Sequence, residues 1–158
     1  MLTTEQRATL KAAILANQTA NTLFVDGDLQ GLADYLNQPA SPAFTVWRSA
    51  VSQDEIMQNG FDWTRVDNLS IGKARIWEWL FNNEARSFNP SKPNVRAGID
   101  QCWVGTAADL AVRAAVYVRC KRQATRFERI FATGTGSVLD PGRAPVDGAV
   151  SYTEFIGL

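Results

Sequence analysis

Histidine is absent from the 158 residues. Its absence removes every mechanism that needs an imidazole: Ser-His-Asp and Cys-His nucleophile pairs, His-ligated zinc and a His general base. An enzyme would have to work with carboxylates, lysines or tyrosines, and no pair of acids stands out as the converging couple that a lytic hydrolase needs. Cysteine is scarce. Cys102 and Cys120 are too few for a disulfide framework and wrongly spaced for zinc. Set among apolar residues, they read as small buried hydrophobes in a reducing compartment. Net charge is missing too, since 16 Lys and Arg balance 16 Asp and Glu, which argues against a globally basic nucleic-acid binder. No apolar run approaches the ~20 residues of a membrane span. The opening "MLTTEQRATLKAAIL" carries charges by position 7 and has no signal-peptide core. The expectation is a protein made in the cytoplasm and used there or in something assembled there. No cofactor or metal is called for.

Hydrophobic residues make up 46% and charged residues 20%, an ordinary globular balance. Thr3 with Gln6 is a capping-box pattern that predicts a helix over 4–17. "NQTANTLFVDGD" reads as a break, after which Asp28 caps a helix over 29–37 carrying Leu29, Leu32, Ala33 and Leu36 at helical spacing. "NQPASPAF" ends it with two prolines. "FTVW" fits a strand or a helix start, with a lean to helix. Ser52 and Glu55 predict a short helix over 53–59 stopped by Gly60. Ser70 caps "IGKARIWEWLFNNEAR", apolar on nearly every side and so expected at the centre of the core. Pro93 opens a helix to about 104, and Thr106 with Asp109 opens a long one over 107–131. The fold class expected is all-α: a helical bundle domain over 1–133 with a long central helix, then an extended C-terminal arm over 134–158. Trp77, Leu80, Phe81, Val116, Cys120 and Phe127 are the expected core.

The long helix would carry Arg119, Arg122, Arg126 and Arg129 at spacings of 3, 4 and 3, stacked in one stripe. Such a stripe is either a solvated face or a surface that meets carboxylates of another subunit or nucleic acid. Arginine favours bidentate pairing over mere solubility. Charge also divides along the chain: residues 1–70 hold four basic and eight acidic residues (net −4), and residues 71–158 hold twelve and eight (net +4). Opposite halves suit head-to-tail self-association, and pairing within one fold is the competing explanation.

The arm carries Val146, Val150, Tyr152, Phe155 and Ile156 on a segment otherwise rich in Gly, Pro, Ser and Thr. An apolar strand on such an arm docks by adding to a partner's sheet or filling its groove, unless it folds back on its own domain. Catalytic features are poor. The glycines of "TGTGS" follow a helix instead of preceding one, which is the wrong side for a phosphate loop. Glu78, Asp109 and Lys73 are isolated, and Trp47, Trp63, Trp77, Trp79 and Trp103 read as packing residues.

At "VWRSAVSQDEIMQNGFDWTRVDNLSIGKARIWEWLF", "FNPSKPNVRAGIDQCWVGTAADLAVRAAVY" and "CKRQATRFERIFATGTGS", over about residues 43–137, the sequence resembles a family of small proteins from tailed-bacteriophage and prophage structural modules. That family is similar to head–tail connector proteins, also called adaptor or head-completion proteins. The resemblance implies a virion structural protein with no enzymatic role, forming a homo-oligomeric, dodecameric ring under the portal protein. DNA passes through the ring without sequence specificity, and other neck or tail proteins are partners. It also implies that the arm docks on the portal. The alternative reading is a small helical DNA-binding or packaging accessory protein that sets the arginine stripe on phosphates.

Overall fold

A computed structural model describes residues 2–58 and 61–158, with Trp63 described in its backbone alone. The described chain is mostly helical. In order it forms α1 (Thr4–Ala16), α2 (Gln18–Val25), α3 (Leu29–Asn37), β1 (Thr45–Trp47), β2 (Val51–Ser52), α4 (Gln53–Ile56), α5 (Trp63–Asp67), α6 (Ile71–Leu80), β3 (Ser87–Phe88), α7 (Pro93–Cys102), α8 (Ala107–Arg119), β4 (Lys121–Gln123) and α9 (Arg126–Phe131), then a 3₁₀ turn at Tyr152–Phe155. The capping boxes at Thr3, Ser52 and Thr106 start their helices as expected. The expected stop at Gly60 lies outside the described residues.

Three expectations about single elements need correction. "NQTANTLFV" is helix α2, because Asn17 leaves the helical path and its carboxamide accepts from the Ala20 N–H, capping a new helix at once. "FTVW" is strand and not helix: β1 pairs with β4, and β2 pairs antiparallel with β3 in the register Val51 to Phe88. The largest correction is that the helix expected over 107–131 stops at Arg119. The Arg48 backbone N–H donates to Cys120 O at 2.9 Å, and its Nη1 donates to Arg119 O at 3.2 Å. These bonds satisfy the carbonyls that the helix end leaves open and turn the chain into β4. Thr125 and Glu128 then form a fresh capping box that starts α9.

The chain divides into two units, and the expected boundary at 133/134 is not where it divides. One unit runs up to Val46 and resumes over Gln123–Leu158. Its core joins Leu10 and Ile14 of α1, Ala20 of α2, Leu32, Ala33 and Leu36 of α3, and Phe127 of α9 with Val150 and Phe155 from the C-terminal segment. A smaller cluster gathers Ala40, Phe44, Val46 and Ala124. Gly136 of "TGTGS" and Gly142 further on lie against the Phe44 ring, where a Cβ would collide with it, so Gly136 serves packing.

The other unit is Trp47–Arg122. Its core is aromatic: Trp77, Phe81, Phe88 and Trp103, closed by Val51, Ile56, Ile99, Val112, Val116 and both cysteines. Of the expected core residues, all are buried except Leu80, which is half-buried, and Phe127 belongs to the first unit. The helix expected at the centre, α6, is an edge helix. It buries Trp77 but leaves Ile71 81% and Trp79 68% exposed.

Candidate interaction surfaces

The C-terminal segment folds back and is not an extended arm. Val150 and Phe155 are buried and Val146 is half-buried, whereas Tyr152 and Ile156 point outward. Polar bonds hold the backbone as well. The Asn37 carboxamide brackets Val150, donating to its carbonyl at 2.9 Å and accepting from its N–H at 2.8 Å. Gly148 N–H donates to Glu128 Oε1 at 2.9 Å, and Arg7 donates to Ile156 O at 2.8 Å. Glu128 is itself buried, with Oε2 accepting from the Thr125 N–H at 2.9 Å, so one carboxylate joins the start of α9 to the C-terminal segment.

The four arginines are not a stripe. Arg119 ends α8, Arg122 lies in β4, and Arg126 and Arg129 stand on α9, so the helical spacing that would have aligned them is lost. Arg126 and Arg129 come together instead at a pocket of about 310 Å³ in the first unit. Its wall includes the apolar side chains Ala20, Leu36 and Ile130. The Arg126 guanidinium lies 4.0 Å from the Tyr35 ring centroid and that of Arg129 lies 4.0 Å from Phe44, both within cation–π range. Tyr35 Oη donates to Asn17 Oδ1 at 3.1 Å and is held in place. Among the described residues, neither guanidinium has a carboxylate within ion-pair distance.

In the second unit, Arg65 Nη2 donates to Asp109 Oδ1 at 2.6 Å, and Thr106 donates to Asp109 Oδ2 from both its hydroxyl and its N–H. Arg65 first, then Thr106, hold the Asp109 carboxyl down to about 2. The folded state therefore favours the ionised form, and this contribution is complete above the ordinary aspartate range and lost as pH falls through about 2. Asp109→Asn is expected to melt below the parent near neutral pH, with the gap closing as both are acidified. A gap that stays constant down to about pH 2 contradicts this role for the pair.

Burial pushes the thiols of Cys102 and Cys120 up to about 11 and about 12, so neither is a ready nucleophile. Burial, and then its bond to Asp100, raises Tyr117. Among the described residues, no three of the Cys, Asp and Glu side chains gather as a metal ion would require, and no helix is long and apolar enough to cross a membrane. No protein-family model, curated protein or solved structure matches the chain.

The sequence division at residue 70 is not a boundary between the units, since residues 47–70 belong to one unit and residues 123–158 to the other, but the units still differ in sign. The first unit holds five basic and eight acidic residues, net −3, and Trp47–Arg122 holds eleven and eight, net +3.

Proposed function

We propose that the chain is a structural protein of tailed-phage particles, a head–tail connector of the adaptor kind. Copies would form a homo-oligomeric, dodecameric ring under the portal, and DNA would pass through it. The observation that carries this reading is the opposite net charge of the two units in a chain of zero total charge. Such a chain attracts its own copies head to tail, and a head-to-tail contact closes into a ring when its rotation allows. Outward apolar side chains are consistent with further protein contacts: Ile71, Trp79 and Val118 on the basic unit, and Val25, Leu139, Tyr152 and Ile156 on the acidic one. With Val150 and Phe155 buried, the docking role of the C-terminal segment on the portal narrows to Tyr152 and Ile156. Portal and other neck or tail proteins are the partners, the virion neck is the location, and the role is structural and not enzymatic.

The alternative, a small DNA-binding or packaging accessory protein, draws on the net +3 of Trp47–Arg122, where Arg119 is exposed. It has lost the single arginine stripe that motivated it.

Particles produced without the chain separate the two readings. A connector's loss leaves DNA-filled heads and finished tails that do not join, whereas loss of a packaging factor leaves empty heads. Normal tailed particles in its absence overturn both.

A further inference from the structure

The acidic unit carries both a pocket and a protrusion that fits it. The segment 137–140 closes a tight turn: Ser137 N–H donates to Asp140 O at 3.1 Å, and Asp140 N–H donates back to Ser137 Oγ at 2.9 Å. Thr135 Oγ1 donates to Asp140 Oδ2 at 2.8 Å and fixes the carboxylate on the turn. At the tip, Leu139 is 95% exposed, more than any other large apolar side chain among the described residues. Val138 beside it is 68% exposed, so two adjacent apolar side chains stand in water on a turn ordered by its own hydrogen bonds, a preorganised contact surface.

Resting on the ring reading above, we infer that Leu139 and Asp140 of one copy enter the Arg126–Arg129 pocket of the next. Leu139 lies against Ala20, Leu36 and Ile130, and the Asp140 carboxylate meets the two guanidiniums, which have no carboxylate partner among the described residues. At about 310 Å³ the pocket has side-chain dimensions. Knob and pocket are different patches of the acidic unit, so the contact is heterologous, repeats from copy to copy and rests on the local pairing of Asp140 with two arginines, separate from the attraction between units of opposite charge. It would bring each guanidinium the anion that its aromatic neighbour cannot supply.

Sedimentation of the purified full chain tests this with two variants. The wild type is expected to self-associate beyond a dimer, and Leu139→Asp to weaken that association at least 100-fold. Arg126→Glu/Arg129→Glu is expected to do the same. Mixing the two variants should yield a complex of two chains and no larger one, because each retains the patch that the other lost. Leu139 is exposed, so its substitution leaves the monomer folded and decides the matter even if the pocket variant does not fold. If the wild type assembles and Leu139→Asp assembles equally well, this interface is wrong while the ring reading stands. A wild type that stays monomeric to about 1 mM also overturns the interface. Two folded variants that do not combine overturn it as well, and leave the pocket to a segment of another protein.

Discussion

Deleting residues 145–158 is expected to unfold the unit built from α1, α2, α3 and α9. A free docking arm would come off without consequence, but this segment supplies Val150 and Phe155 to the core. Burying each is worth ~1.5–3 kcal/mol, and a folded protein holds only ~5–15 kcal/mol in all. The deletion also leaves the Asn37 carboxamide without both of its Val150 partners and removes the Gly148 N–H from the buried carboxylate of Glu128. Phe155→Ala is the milder form and should cost ~3–5 kcal/mol. Hydrogen exchange of the α1, α3 and α9 amides reads the effect locally, and protection there should collapse in the truncated chain. Unchanged protection and helix content would mean that the segment is a dispensable arm after all.

Trp77→Ala is expected to be comparably damaging in the unit Trp47–Arg122. The indole stacks on Phe61 at 6.1 Å between centroids and meets Phe81 and Trp103 edge to face at 5.2 and 5.3 Å. Removing an indole packed among three aromatic rings leaves a large cavity, so ~3–5 kcal/mol should be lost. In denaturant, the midpoint should fall with little change of slope for Trp77→Phe, and cooperative unfolding should largely vanish for Trp77→Ala. A Trp77→Ala chain of near-parental stability would show that the aromatic cluster is not the core.

The helical character was legible because capping residues and 3.6-residue periodicity agreed at Thr3, Ser52, Ser70 and Thr106. The break at 120–125 was written in the sequence as well. Thr125 and Glu128 are a capping box like the others, but the apolar spacing from Val116 through Cys120, Ala124 and Phe127 continues across it and reads as one helix. Both patterns are real. The apolar residues serve two different units, and only a tertiary contact, Arg48 on the α8 carbonyls, decides where the helix ends. The arginine stripe failed for the same reason.

Composition alone does not show that the C-terminal segment joins a core. Its few apolar residues cannot order a free strand, but Val150 and Phe155 need only enter a core that α1, α3 and α9 leave open. The pocket was not legible, since Ala20 of α2 and Leu36 of α3 meet Arg126, Arg129 and Ile130 of α9 only in the fold. A division of charge is legible in the sequence but its bounds are not, because residues 123–158 fold with the N-terminal helices and residues 47–70 do not, and the difference shrinks from −4 and +4 to −3 and +3.

A cryo-electron map of assembled particles is the decisive test of the proposed ring at the junction of head and tail. The expected result is a closed ring of this chain beneath the portal, surrounding the DNA channel, with Leu139 of each copy seated against Arg126 and Arg129 of its neighbour. A neck fully accounted for by other proteins, with this chain missing from the particle, would contradict it.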